Sequence, residues 1–190
     1  ISDYCLQLVR ARFNDTRAPF QRSHPYYVLL ESSDAESAGH ATDRFEALLG
    51  QALQDGVIDD AVVASSLAQS RSFWAMRENI SAAQAWQGKN IKHDIALPIS
   101  AIDRFIADTN AAIERQWPGA RPVVFGHLGD GNLHYNISPP AGIDPERWLD
   151  QEPAMNRLVH DAVAASNGSI SAEHGIGALK VTENQRYKPA

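Results

Sequence analysis

The sequence predicts an α+β domain in which a largely antiparallel sheet carries helices packed on one face. Strand-like runs alternate with segments of helical periodicity along the 190 residues, and no Pro/Gly/Ser-rich linker divides them. An Asp-Gly pair at 130–131 lies between two apolar runs, which is a strong signal for an antiparallel hairpin. No G-x-G-x-x-G follows a strand and no P-loop occurs, so the chain does not carry its own dinucleotide site.

Short apolar or alternating runs bounded by turn residues predict the strands. They lie at residues 26–31, 59–65, 91–97, 121–138 (two strands around a glycine-rich turn) and 168–177 (a short strand and a glycine turn). The segment 91–97 alternates apolar and polar residues up to Pro98, which is typical of a half-buried strand.

Apolar residues at helical spacing predict the helices. They lie at residues 38–54, 66–87, 100–116 and 152–166. Gly56 ends the first helix and Gly88 the second, and Ser100 is expected to cap the third. The buried stripe of the third helix is formed by Ile102, Phe105, Ile106 and Ile113. Residues 139–150 are expected to form a loop.

The composition limits the possible partners. Seventeen basic and twenty-three acidic side chains give a net charge of −6 and an isoelectric point near 5.6. This charge argues against nucleic acid or an anionic membrane as a partner. No apolar run reaches the roughly 18 residues needed to cross a bilayer. Cys5 is the only cysteine, so a disulfide framework is excluded and a cytoplasmic location is expected.

The hairpin at 123–136 carries two histidines that point to metal binding. If Asp130-Gly131 is a two-residue turn, His127 faces His134 and Phe125 faces Asn136, with opposed Cβ atoms about 5 Å apart. Asn136 then shares the face of His134. Two imidazoles held in this way can chelate one divalent metal. The alternative is a pair of histidines that only hydrogen-bond at a sheet surface.

A second cluster of polar residues lies in GSISAEHGIG at 168–177. Glu173 offers a third metal ligand and His174 a base, and the surrounding glycines let the backbone turn so that both can reach one site. The alternative is a helix-capping loop with a solvated glutamate.

GHLGDGNLHYN and GSISAEHGIG together resemble the paired signatures of the FAD-linked oxidase C-terminal domain. This family belongs to the vanillyl-alcohol-oxidase-like flavoproteins and includes D-lactate dehydrogenases, D-2-hydroxyglutarate dehydrogenases and the glycolate oxidase flavoprotein subunit. The similarity extends from about residue 26 to the end. It implies a ferredoxin-like arrangement and an FAD cofactor bound mostly by a separate N-terminal domain. Residues 1–190 are therefore expected to be a substrate (cap) domain, cut off from that FAD-binding domain and from the last C-terminal segment.

The resemblance also implies roles for the polar residues of the two motifs. His127, His134 and Glu173 match the family's divalent-metal ligands, usually for zinc. His174 matches the catalytic base beside the flavin. Asn136 matches a residue that contacts substrate or flavin.

A third match is the W-x-x-R-E helix at 74–78. The resemblance implies that Arg77 binds the substrate carboxylate, which suits a planar guanidinium that can pair bidentately. Ser81 follows one turn later on the same expected helical face. Lys92 matches a strand lysine near the same carboxylate.

The implied function is oxidation of a small D-2-hydroxy acid to the 2-oxo acid. Electrons would leave to an acceptor protein or a quinone, and a homodimer is possible. Two alternatives stay open from the residues alone. One is a self-contained metal-dependent hydrolase that uses the His-His-Glu site, and the other is a non-catalytic oligomerisation domain.

Overall fold

The computed structural model describes residues 1–32, 38–177 and 180–187. The helices are α1 (Asp3–Arg12), α2 (Ala38–Gln54), α3 (Leu67–Glu78), α4 (Ile80–Gln87), α5 (Ile102–Gln116), α6 (Pro145–Trp148), α7 (Glu152–Ala165) and α8 (Val181–Tyr187). The strands are β1 (Asp94–Ala96), β2 (Arg121–His127) and β3 (Asn132–Ser138). Short 3₁₀ turns occur at Ile99–Ala101, Leu128–Asp130 and Leu149–Gln151.

The three strands form an antiparallel sheet in the order β1-β3-β2. An antiparallel bridge between Ala96 and Ser169 brings the segment after α7 to the outer edge of β1. The path β1, α5, β2, β3, α7 and this bridged segment gives a ferredoxin-like order. The α+β class with an antiparallel sheet is therefore confirmed.

The main core lies between one face of the sheet and the helices α5 and α7. It includes Ile95, Phe105, Ile113, Tyr135, Met155 and Val159. These residues alternate along the strands and recur at helical spacing in α5 and α7, so each element buries one apolar face. The predicted buried stripe of the helix at 100–116 is confirmed.

A second helical layer covers part of the opposite face, which differs from the one-sided packing expected from the sequence. Val123 and Phe125 of β2 pack there against α1 and α4. Strand β2 is apolar on both faces, because Val124 belongs to the main core. Both faces must therefore be covered. Helix α1, which the sequence pattern did not reveal, supplies Cys5, whose thiol is fully buried.

The predicted register of the hairpin is wrong by two residues. His127 pairs with Asn132, and Phe125 pairs with His134. The connection is a 3₁₀ turn at Leu128–Asp130 followed by Gly131 in the left-handed region, φ 76°. Only Gly131 takes a positive φ here, whereas a two-residue type I′ turn needs two such residues. Because the shift is an even number, every side chain stays on its predicted face.

Two predicted strands, 26–31 and 59–65, are not formed. Tyr26 makes only an isolated bridge to Ser2. Val28 is 62% exposed, so its apolar run has no covering layer. Segments with β propensity form strands only where a neighbour supplies the ladder and a packed face.

The predicted helix at 66–87 is divided at Asn79 into α3 and α4. Ser66 caps α3 by accepting a hydrogen bond from the Gln69 backbone, whereas Ser100 lies within a 3₁₀ turn and does not cap α5. Helix α6 forms within the predicted loop, and only Ser169 of 168–177 takes part in strand pairing. Among the described residues, none of the helices combines the length and apolarity needed to cross a membrane.

Candidate functional site

A cluster of imidazole and carboxylate groups lies on the sheet face that α1 and α4 cover only in part. His134 lies on β3, and Asp94 lies directly opposite it on β1. Glu173 reaches the same place from the segment that is bridged to β1 through Ser169. One ligand atom from each of Asp94, His134 and Glu173 lies within 4.8 Å of the other two. These three residues could hold a metal ion.

Glu173 lies between the two hairpin histidines. Its Oε1 is 3.1 Å from His127 Nδ1, and its Oε2 is 3.7 Å from His134 Nε2. The two histidines thus converge on one carboxylate although they are not cross-strand partners. Atoms that share one tetrahedral zinc ion at about 2.0–2.2 Å lie about 3.3–3.5 Å apart. Each of the two His–Glu173 separations is close to this value, but the three ligand atoms that lie within 4.8 Å of one another belong to Asp94, His134 and Glu173 and do not include His127.

Asp94 is the site residue that the sequence motifs did not reveal. Its Oδ1 accepts a hydrogen bond from Asn132 Nδ2 at 3.0 Å, and its Oδ2 accepts from the His174 backbone N–H at 2.9 Å. Burial alone would raise the pKa of this carboxyl group. The two hydrogen bonds and the charges of His134 and His174 outweigh burial and lower it. Asp94 is therefore ionised at neutral pH. The alternation along 91–97 is the only signal that could have placed it beside His134.

Arg77 lies at the edge of the cluster. Its guanidinium stacks 5.1 Å from the centroid of the Phe125 ring, and its Nη2 is 3.3 Å from His127 Nε2. Both ring nitrogens of His127 thus have a neighbour, because Nε2 faces Arg77 and Nδ1 faces Glu173 at 3.1 Å. The stacking fixes the plane of a side chain that can pair bidentately with a carboxylate.

His174 lies at the exposed side of the cluster. Its side chain is exposed, its ring centroid is 6.4 Å from that of His134, and its backbone N–H is held by Asp94. An imidazole with a fixed backbone and an exposed ring can act on a group that approaches from outside this chain.

The other predicted substrate contacts lie in different surroundings. Asn136 is buried, donates to Gln84 Oε1 and accepts from the His93 backbone, so both ends of its amide are in use. Ser81 is exposed in the first turn of α4, and the break at Asn79 separates it from the helix that carries Arg77. Lys92 is exposed and lines a shallow cleft of about 470 Å³ whose lining includes no residue of the cluster.

The donor set suits a borderline divalent metal. Imidazole nitrogens and carboxylate oxygens together are the ligands of zinc and similar ions. Burial lowers the pKa of His134, although the neighbouring carboxylates Asp94 and Glu173 raise it. The His134 ring is thus neutral near pH 7 and has a lone pair for coordination. The residues present therefore fit a metal ion of this class.

The sequence of the chain matches that of a known protein family. Residues 2–190 match the family model described as FAD linked oxidases, C-terminal domain. The chain belongs to this family.

Three similar relatives are all named D-2-hydroxyglutarate dehydrogenase. The protein of Xanthomonas citri pv. viticola is 35% identical over 179 residues, which cover 94% of this chain and 37% of the relative. That of Stutzerimonas stutzeri is 35% identical over 182 residues, 94% of this chain and 38% of the relative. The mitochondrial protein of Rattus norvegicus is 37% identical over 179 residues, 93% of this chain and 31% of the relative. The chain thus spans well under half the length of these relatives.

Proposed function

We propose that this chain is the substrate- and metal-binding part of an FAD-dependent dehydrogenase that oxidises a D-2-hydroxy acid to the 2-oxo acid. The observation that carries the proposal is the convergence of His127, His134 and Glu173 beside Arg77 and an exposed His174. The family membership and the names of the relatives support the same reaction.

Arg77 anchors the substrate carboxylate in this proposal. Its guanidinium is oriented by Phe125 and lies at the edge of the His-Glu cluster, so a carboxylate bound there places its 2-hydroxyl group toward the cluster. Ser81, Lys92 and Asn136 are included as further substrate contacts, with Asn136 and His174 also beside the flavin, on the strength of the family resemblance alone.

His127, His134 and Glu173 hold a divalent metal, proposed to be zinc. When bound, such an ion would supply Lewis acidity that lowers the pKa of the substrate hydroxyl. Arg77 contacts His127 directly, so the carboxylate anchor and the metal-binding residues form one continuous surface.

His174 receives the hydroxyl proton as the general base. FAD, when bound, would supply the acceptor for the hydride from the substrate's Cα. An N-terminal FAD-binding domain is the proposed partner, and an electron-acceptor protein or a quinone is the proposed electron acceptor. The exposed ring of His174 suits a position that faces such a domain.

The proposal is tested on the purified protein together with its FAD-binding domain. Bound metal is measured by elemental analysis after zinc loading and dialysis, beside a His127→Ala/His134→Ala variant. Oxidation of D-2-hydroxyglutarate, D-lactate and glycolate is followed with an artificial electron acceptor. One zinc per chain that the double variant loses, with oxidation of a D-2-hydroxy acid, supports the proposal. Zinc binding without oxidation of any of these acids would contradict it and favour the hydrolase.

A further inference from the structure

Asp94 connects three separate parts of the cluster. It lies on β1, its Oδ1 accepts from Asn132 of β3, and its Oδ2 accepts from the backbone of His174. The same Oδ1 is 3.6 Å from His134 Nδ1. One buried carboxylate thus contacts the strand that carries one predicted metal ligand and the segment that carries another.

Asp94 and Glu173 lie nearest to different nitrogens of His134, although one ligand atom of each of the three residues lies within 4.8 Å of the other two. Asp94 faces His134 Nδ1, whereas Glu173 faces His134 Nε2. The two nitrogens of an imidazole point away from each other, so an ion bound at Nε2 lies on the side of Glu173. A carboxylate on the Nδ1 side stabilises Nδ1–H and leaves the Nε2 lone pair for the ion.

The hydrogen bond to His174 has a second consequence. Residues 171–174 form no regular helix or strand, and the nearest pairing to the sheet is the bridge at Ser169. The bond from the His174 N–H to Asp94 is therefore a direct attachment of the Glu173–His174 pair to β1. Because Glu173 precedes His174, this attachment also limits where its carboxylate can lie.

We propose that Asp94 is a positioning residue that orients His134 for coordination through Nε2 and holds Glu173 and His174 against the sheet. This inference rests on the proposed function, because it requires a metal at His134 and Glu173. Asp94 itself is not a ligand in this proposal.

The test compares Asp94→Ala, Asp94→Asn and Asp130→Asn with the wild-type protein. Asp130 is a matched control, since it is an exposed acidic residue of the neighbouring turn whose carboxylate accepts from the Asn132 backbone. Zinc affinity and stoichiometry are measured by competition with a chromogenic chelator. Amide hydrogen exchange at His174 is measured in the metal-free protein.

Asp94→Ala is expected to weaken zinc affinity about 10–100-fold while keeping one site per chain, as is common for partners of metal-bound histidines. The His174 amide should exchange faster in this variant. Asp94→Asn keeps one acceptor oxygen and should restore part of the protection of the His174 amide. Asp130→Asn should match the wild-type protein in both zinc affinity and amide exchange.

Three outcomes would overturn the positioning role. Equal zinc affinity in Asp94→Ala and the wild-type protein would remove it while leaving the proposed function intact. A complete loss of zinc from folded Asp94→Ala would make Asp94 a ligand instead. No zinc binding by the wild-type protein would remove the metal from the proposed function, and the positioning role with it.

Discussion

The residues of the cluster divide by proposed role into metal ligands, a positioning residue and a general base. Glu173 lies between His127 and His134, with one carboxylate oxygen toward each. Asp94 accepts a hydrogen bond from the backbone N–H of His174, and the His174 ring stays exposed. This division makes different predictions for the exposed imidazole and for the stacked guanidinium.

Replacing His174 with Gln is expected to lower turnover about 10²–10⁴-fold, because the proposed general base is removed. The KM for the hydroxy acid should change much less, since the carboxylate anchor is intact. The measurement is steady-state oxidation by the protein joined to its FAD-binding domain. An unchanged turnover would show that another group accepts the hydroxyl proton.

Replacing Arg77 with Lys is expected to raise KM and lower kcat/KM about 10–100-fold, because an ammonium lacks the bidentate fork and the stacking on Phe125. Arg71→Lys on the exposed surface of α3 is the matched control and should behave as wild type. If both variants have the same kinetics, Arg77 does not anchor the substrate.

Among the secondary-structure elements, the hairpin turn positions the site. The 3₁₀ turn and Gly131 set the β2–β3 register that places His134 opposite Phe125, and the pairing of β3 with β1 places it opposite Asp94. Gly131 has φ 76°, and a Cβ on it would overlap the carbonyl oxygen of Leu97. Gly142 has a similar φ of 81° with open space around it. Comparing alanine substitutions at these two glycines therefore distinguishes the cost of backbone strain from the cost of close packing.

Gly142→Ala is expected to cost about 1–2 kcal/mol in the free energy of unfolding, because an L residue is strained in the left-handed region. Gly131→Ala should cost clearly more, since the backbone of Leu97, directly after β1, must also move away from the turn. Urea denaturation measures both. Equal costs would mean that the turn does not approach β1 as closely as the structure shows.

At the scale of the whole molecule, the sheet separates the main apolar core from the face that carries the His-Glu cluster and the smaller apolar cluster with α1 and α4. His93 and His160 lie on the apolar side, with ring centroids 5.7 Å apart. Burial lowers the pKa of His93 from 6.5 to about 4, and burial also lowers the pKa of His160. Lys92 and Asp94, the neighbours of His93 in sequence, have their side chains on the opposite face.

Acid is therefore expected to destabilise the fold. Between pH 6.5 and about 4 the unfolded chain binds a proton at His93 that the folded chain does not, so stability falls as the pH falls through this window. The full effect of His93 is about 3 kcal/mol. His93→Asn keeps a donor for the Tyr135 carbonyl and should show a shallower loss between pH 7 and 4.5 in urea denaturation. An identical slope in both proteins would contradict this assignment.

The sequence by itself determined the α+β class, the helices of the main core and the two motifs that mark the family. These features depend on local periodicity and on residue types at short spacing, which a sequence shows directly. The faces of the hairpin side chains were also predictable, because alternation along a strand survives an even shift in register.

Only the tertiary structure decided the hairpin register, the second helical layer and the place of Asp94. The hairpin register depends on the turn that the backbone adopts around Gly131. The second helical layer depends on how α1 packs against β2. Asp94 is 40 or more residues from His134 and His174 in sequence and meets them only through strand pairing and a backbone hydrogen bond. Contacts between such distant segments are set by packing of the whole domain, which local patterns do not encode.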